Sequence, residues 1–473
     1  MRKTKIVCTI GPASNNEEML RKMMLNGMNV ARLNFSHGTH EDHKKTIEKV
    51  RRVRDELKLP VAVLLDTKGP EIRLKDFAKG KVTLVDGQKF TFTSEEVDGD
   101  ETRVSTTYRE LSKQLKAGNT ILVNDGQLEF LVEATTETDV ICRVIRGGVV
   151  SNHKGVNIPN VHLDFTYISE QDEADLRFGV EHKVDFVAAS FVRCKEDVIA
   201  VRNFLDYYGG NDIRIISKIE NNEGVQNFDE ILAYSDGIMV ARGDMGVEIE
   251  YEKLPGIQKN FIKKCYEAGK MVITATQMLE SMIHNATPTR AEITDVANAV
   301  FDGTSAIMLS GETAVGDHPE LVIEAMAKIA EQAEHDAFEM DIYRKMRYTN
   351  DINDTTNAIC DAACTTAKDV GAKAIVAVTM HGNTARRMSK FRPQQPIIAA
   401  TPCEKTYHQL ALSWGVYPVM ALYQADAGKL FDHAVACAKR FGYVQEQDRL
   451  VIAAGANGVT NVLKVQTVGE EHR

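Results

Sequence analysis

Paired cysteines are missing from this chain. Its eight cysteines are scattered with no CxxC among them, so neither a disulfide scaffold nor a zinc knuckle is written into it, and reduced thiols in a cytoplasm are expected. Cys360 and Cys364 lie one helical turn apart without a neighbouring His or Cys to complete a metal set, and core packing is expected of them. No apolar stretch reaches the roughly 18 residues of a membrane helix. The run 4–10 reads as a strand where a secretory leader would carry its apolar core, so no leader is expected. Positive charge is also short. Lys and Arg number 57 against 67 Asp and Glu, a net −10, which argues against nucleic acid or an anionic membrane as the main partner. If such a chain handles phosphates, it must hold them with a local cluster of Arg, Lys and metal.

Apolar residues make up 43% and charged residues 26% of 473, enough for full cores in two or three domains. Strand-like runs at 5–10, 30–35, 61–66, 186–191, 214–219, 237–241, 272–275 and 306–309 alternate with helix-periodic segments such as 16–25, 41–57, 170–181, 251–267, 290–299 and 319–333. Eight β-then-α units with right-handed crossovers close into a (β/α)8 TIM barrel; a doubly wound open sheet is the alternative from pattern alone. Polar residues at the strand ends favour the barrel, whose sites form at that rim. They are Arg32 and Asn34, Asp66 and Thr67, Ser190, Lys218 and Glu220, Asp244, Thr276, and Ser310 with Glu312.

The predicted fold is therefore α/β in three domains. The barrel is expected over 1–69 and 166–344. After Gly69-Pro70 the helical rhythm stops for about 95 residues. Short alternating runs at 81–85, 90–93, 120–123 and 140–144 replace it, separated by turns at Asp86-Gly87, Asp98-Gly99 and Asp125-Gly126. Residues 70–165 thus read as an inserted all-β domain, a β-barrel lid over the rim. From 345 to 473 a separate α/β pattern follows, with helices 353–370 and 384–391 and strands 374–379, 397–400, 417–421, 449–454 and 461–468.

Lys218 and Glu220, two apart on a buried strand, project the same way. A lysine there costs free energy unless it is paired or at the strand's end. With Asp244 about two dozen residues on, two carboxylates near a lysine suit a divalent cation clamping an anionic substrate. A plain ion pair is the bland reading of Lys218. A Schiff-base amine is a third, and neighbouring carboxylates oppose it by keeping the amine protonated.

At this point the motifs resemble those of one family. IISKIENNEGV (215–225) resembles the active-site signature of pyruvate kinases. RLNFSHG (32–38), LDTKGPEIR (65–73), MVARGDMGV (239–247), ITATQMLESM (273–282), PTRAE (288–292) and MLSGE (308–312) follow that family's order and spacing. The likeness covers essentially the whole chain.

The resemblance implies phosphoryl transfer between phosphoenolpyruvate and ADP, giving ATP and pyruvate, the last step of glycolysis. It further implies a cytoplasmic homotetramer dependent on Mg2+ (or Mn2+) and K+. Glu220 and Asp244 correspond to Mg2+ ligands. Lys218 corresponds to the group beside the transferring phosphoryl and the enolate, and Arg32 to a phosphate contact. The amides around Gly243 and Asp244, with Thr276, correspond to the holders of the substrate carboxylate. Lys218, Arg32 and Thr276 are thus the expected catalytic residues. Arg73 and Lys154, at the ends of the insertion, correspond to nucleotide-phosphate contacts, together with Asn34, Phe35, Ser36 and His37. Asn34, Ser36, Asp66 and Thr67 align with a K+ site, whose hard oxygens and single charge suit a monovalent ion. Relatives that dispense with K+ tend to carry lysine at the position of Glu71, so glutamate implies dependence. Thr276, Ser310 and Glu312 all stay open as parts of a water-borne proton relay to the enolate.

TMHGNTAR (379–386) resembles the family's effector phosphate loop, with Thr379, Gly382, Asn383, Thr384 and Arg386 as expected contacts. A sugar phosphate, a nucleoside monophosphate or no effector stay open. Asn160 stands where the family commonly has glycine, a departure that bears on lid hinging, and Ser305 replaces a common aspartate. Two other classes compete. A metal-dependent enolate lyase or aldolase leaves Arg32, Arg73 and the insertion unexplained. A non-catalytic metabolite sensor is expected to lose Lys218 or a metal carboxylate, and this chain retains both.

Overall fold

The computed structural model describes residues 1–345, 354–423, 427–455 and 459–469. Eight strands close into a wholly parallel barrel in sequence order: Lys5–Thr9, Val30–Asn34, Ala62–Asp66, Phe186–Ala189, Arg214–Ile219, Gly237–Ala241, Met271–Ala275 and Ala306–Leu309. The eighth pairs back to the first, with Lys5 opposite Ala306. Both faces of these strands are buried, which is why they read as unbroken apolar runs.

The period-2 alternation of a strand carries the barrel interior into the site. Val30, Leu64, Ala188 and Ile216 pack inside the barrel. The next residues of the same parity are Arg32, Asp66, Ser190 and Lys218, so the polar cluster is the top layer of the core. Outside, a larger apolar layer seats the helices. Several helices are started by reciprocal capping boxes, at Thr39 with Asp42, Ser169 with Asp172 and Thr289 with Glu292, each cap worth about 1 kcal/mol.

The insertion leaves after the third strand and has its own core, including Phe90, Phe92 and Phe130. Its strands were expected as a barrel. They form a seven-stranded sheet, in the order Ile72–Arg73, Gly155–Asn157, Thr120–Val123, Leu128–Thr135, Asp139–Arg146, Lys89–Thr93 and Arg103–Ser105, whose two edges meet through an antiparallel bridge between Leu74 and Thr106, beside a separate ribbon of Lys81–Leu84 and Gly148–Ser151. Backbone bonds from Thr107 N to Arg73 O and from Lys75 N to Ser105 O, both 2.9 Å, join the first and last of these strands, and register irregularities after Ile141 and Val144 help the sheet to curve.

The C-terminal sheet runs Val416–Met420, Ile397–Thr401, Ala374–Val378, Arg449–Ala454 and Val462–Thr467, the last strand antiparallel. Its first described helix is Thr355–Asp369, capped by Asp354. The expected start at Asn353, together with 346–352, 424–426, 456–458 and 470–473 of the expected 345–473 domain, lies outside the described residues. This domain covers the bottom of the barrel: Leu412 joins the interior cluster, and the Gln409 amide donates to the carbonyls of Asp185 and Asp212 at 3.1 and 2.7 Å.

Candidate active site

Asp66 is the hub of the rim. It is wholly buried; its Oδ2 accepts from Arg32 Nε at 2.6 Å, and its Oδ1 from Lys218 Nζ at 3.0 Å and Ser190 Oγ at 3.2 Å. Burial alone would raise its carboxyl, but the charges of Arg32 and then Lys218 outweigh that and hold it below its ordinary value. Lys218 also donates to Ser190 Oγ at 2.8 Å and pairs with Glu220 Oε1 at 3.0 Å. Burial would lower Lys218; Asp66, then Glu220, reverse this and keep the ammonium charged. A charged, fully engaged ammonium does not serve as a Schiff-base nucleophile.

Glu220 is buried, with Oε2 accepting from the Phe191 amide at 2.6 Å. Burial, with Asp244 adding to it, pushes its carboxyl up despite Lys218. Phe191 has φ 54°, uncommon for a bulky residue, and this backbone turn aims its N–H at Glu220. Asp244 lies in the first turn of the short helix Arg242–Glu248 and faces a cleft of about 480 Å³ between lid and barrel, together with Glu71, Phe191 and Glu248.

Thr276 is the second strained position. Its φ is 69°, a genuine outlier for a β-branched residue. Its Oγ1 accepts from the Gly243 amide at 2.8 Å and donates to Ala275 O at 2.6 Å, so the two expected carboxylate holders touch one another. Arg242 fastens this corner by donating to Thr276 O at 2.6 Å and to Asp295 Oδ1 at 2.8 Å. Glu312 is fully buried, and its oxygens accept from the Ser310 and Leu279 amides at 2.6 and 3.2 Å. It fixes the eighth-strand loop.

Asn34 lies opposite Asp66 in strand register, its Oδ1 accepting from the Ser36 amide at 3.1 Å. Thr67 Oγ1 accepts from the Ser190 amide at 3.1 Å. Residues 34, 36, 66 and 67 thus gather at two neighbouring strand ends. Phe35 is buried, stacked on His43 with ring centroids 3.9 Å apart, so its ring supports the loop from behind. The His37 carbonyl is tied to His43 Nε2 at 2.8 Å. Arg73 pairs with Glu71 at 2.8 Å and donates to His153 O at 2.8 Å. Lys154 precedes Gly155, which pairs with Arg73, so both ends of the insertion meet at its base.

Three groups went unassigned in the sequence: Ser190, Arg242 and Glu248. Ser190 stood out only as a strand end, and Arg242 only as part of the MVARGDMGV motif. Glu248 gave no signal. It is half-buried, and the loss of solvent raises its carboxyl; it accepts from the Asn222 amide at 3.1 Å and the lid's Asn157 Nδ2 at 3.3 Å. Further lid-to-barrel contacts are His162 Nδ1 with Glu223 at 2.9 Å and Asn222 Nδ2 donating to Asn160 Oδ1 at 2.5 Å. Asn160 has φ 62°, the left-handed region that asparagine tolerates better than most residues.

In the C-terminal domain, Thr379, Asn383 and Thr384 line a cavity of about 740 Å³ with Tyr423, Phe431 and His433. The Thr384 and Thr460 hydroxyls bond at 2.7 Å. Gly382, with φ 82°, makes the turn into the helix Asn383–Lys390. Arg386 is not brought to this cavity. It faces the barrel side, donating to His381 O and to Asn383 Oδ1.

Sequence profiles match nearly the whole chain: "Pyruvate kinase, barrel domain" over residues 1–323 and "Pyruvate kinase, alpha/beta domain" over 357–466. The pyruvate kinase of Clostridium acetobutylicum is 50% identical over 473 residues, covering 99% of this chain and 100% of that protein. That of Staphylococcus haemolyticus is 47% identical, covering 100% of this chain and 81% of the relative. A crystal structure of a pyruvate kinase from Cryptosporidium parvum superposes with a TM-score of 0.94 at 39% identity, covering 98% of this chain and 96% of that one.

Proposed function

This chain belongs to the pyruvate kinase family, and from that premise we propose how its rim moves a phosphoryl group from phosphoenolpyruvate to ADP. Phosphoryl transfer depends mainly on positioning and on neutralising shifting charge. The observation that carries the reading is the union of Arg32, Lys218, Ser190 and Glu220 around Asp66. Two cations held by one carboxylate are rigid before substrate arrives.

Arg32 binds the phosphoryl oxygens, its planar fork matching them. Lys218 lies against the transferring group and the enolate oxygen, where negative charge grows. The Gly243 and Asp244 amides and the Thr276 hydroxyl hold the substrate carboxylate. Arg73 and Lys154 at the lid base, with Asn34, Ser36 and His37 on the rim, receive the ADP phosphates, and lid closure excludes water.

Glu220 and Asp244 hold Mg2+, or Mn2+. The residues fit such an ion: both donors are hard oxygens, and Glu220 is an acid that burial and Asp244 push up, a cost that a divalent cation relieves. Bound there, the ion supplies positive charge to substrate oxygens. Asn34, Ser36, Asp66 and Thr67 hold K+, consistent with Glu71 standing where K+-independent relatives tend to carry lysine. The reading extends to a cytoplasmic homotetramer acting on small molecules, with neither nucleic acid nor membrane as partner. No helix of the described residues is long and apolar enough to cross a membrane. Val462 and Val465, exposed on the edge strand Val462–Thr467, offer a surface for a second copy. A phosphorylated effector is assigned to the cavity at Thr379, Asn383 and Thr384.

The test is pyruvate formation from phosphoenolpyruvate and ADP with Mg2+ present, in K+ and again in Na+. Turnover should need ADP and fall by at least tenfold in Na+. Product without ADP would point to a lyase or phosphatase, and equal rates in Na+ would refute the K+ assignment.

A further inference from the structure

The barrel and the C-terminal domain enclose a second polar cavity, of about 670 Å³, that phosphoryl transfer does not use. It lies at the barrel end opposite the rim. Its barrel wall includes Arg214, the first residue of the fifth strand, and Lys270, just before the seventh. Its other wall carries Arg386, Arg387 and Lys390 from one helix. Five cations therefore meet two carboxylates, and both carboxylates are committed. Asp236 pairs with Arg214 at 2.5 Å and Arg202 at 3.3 Å, and Asp354 with Arg387 at 2.5 Å.

Arg386 differs from Arg214 and Arg387 and resembles Lys270, whose ammonium donates to the Leu232 and Ala233 carbonyls at 2.6 and 2.8 Å. The hydrogen bonds of Arg386 go to neutral oxygens, His381 O and Asn383 Oδ1. Burial, then the charge of Arg214 across the interface, push it down to about 9, and Asp236 only partly offsets this. Two guanidinium groups from different domains turned to one half-buried space repel each other unless an anion lies between them. The space is larger than one phosphate needs, and the side-chain amides of Asn357 and Asn383 line it beside the cations. The C-terminal cavity at Thr379 and Thr384, by contrast, has neither Lys nor Arg among its described lining residues.

We infer that this interdomain cleft is a binding site for a small phosphate monoester, with the phosphate held by Arg386 and Arg214 and a polar body against the asparagines. The inference goes beyond the reading of the rim, since it concerns a separate site.

The test titrates the full chain with inorganic phosphate and with glycerol 3-phosphate by calorimetry, at constant ionic strength balanced with chloride. Saturable binding is expected, with the monoester tighter. Arg386→Gln should weaken the cleft affinity at least tenfold, Arg386→Lys should restore part of it, and Thr384→Val should leave it unchanged. Arg214→Gln is the second probe should Arg386→Gln fold poorly, because Asp236 keeps Arg202. Unchanged affinity in the folded Arg386 or Arg214 variant overturns the site. Equal affinity for the two probes overturns the assignment to a monoester.

Discussion

Replacing Lys218 by methionine leaves an unbranched side chain one atom shorter and deletes one positive charge from the rim. The ammonium lies 3.0 Å from both Asp66 Oδ1 and Glu220 Oε1, so the loss is felt first in the free enzyme. Breaking a buried pair by removing one partner commonly costs about 3–5 kcal/mol. The cost here should fall near or below the low end, because Asp66 retains Arg32 and Glu220, already pushed up by burial, can take a proton instead. Turnover should suffer more. A unit charge about 4 Å from a growing negative charge is worth about 4 kcal/mol at an effective dielectric near 20, which is about a thousandfold in kcat. Substrate affinity should stay within about tenfold, since Arg32 and the Gly243–Thr276 corner are untouched and Lys218 acts mostly in the transition state. Steady-state kinetics over phosphoenolpyruvate concentration, with thermal unfolding on the same samples, separates the two effects. A folded Lys218→Met enzyme with kcat within tenfold of the parent would refute the reasoning. So would a loss confined to KM.

Thr276→Val should lower kcat/KM for phosphoenolpyruvate about 10–100-fold by removing the hydroxyl, while Thr276→Ser keeps it within a few-fold; equal losses in both would mean that the backbone turn matters and the hydroxyl does not. Asn160→Gly removes the bond to Asn222 and loosens the lid, so KM for ADP should rise about fivefold, the equivalent of about 1 kcal/mol, with little change for phosphoenolpyruvate; an unaltered ADP dependence would exclude a latch. His408 is buried and pushed down to about 3, mainly by burial and then by Arg54, from an ordinary 6.5. Between those values the unfolded chain binds a proton that the folded chain refuses, so stability present above pH 6.5 is lost on acidification, at up to about 1.4 kcal/mol per pH unit. His408→Gln should flatten urea-unfolding stability between pH 7 and 5 relative to the parent, and parallel curves would remove His408 from the acid response.

The barrel was legible because a strand buried on both faces must be apolar until it reaches solvent, so the first polar residue marks both the rim and the site. Arg32, Asp66 and Lys218 were readable as polar strand ends without any contact being known, and period-2 parity put Lys218 and Glu220 on one side. The tie between Asp66 and Lys218, 152 positions apart, was not legible, since closure of the barrel alone creates it. Nor were the turns at Phe191 and Thr276, where tertiary contacts force backbone angles that side-chain type argues against. The insertion was harder to read because its short strands owe their order to long-range pairing. Arg386 stands away from the Thr384 cavity for a geometric reason. Two helical residues from Thr384 means about 200° around the axis, so the two side chains cannot enter the same cavity.

The shared carboxylate of Asp66 also constrains how this rim can change over time. Losing Asp66 leaves Arg32 and Lys218 as two buried cations without their shared anion, whereas losing either cation leaves Asp66 to the other, so single and double replacements should combine far from additively. A lineage that drifts at one of these three positions gains little by repairing it at another, and the trio is inherited as one unit.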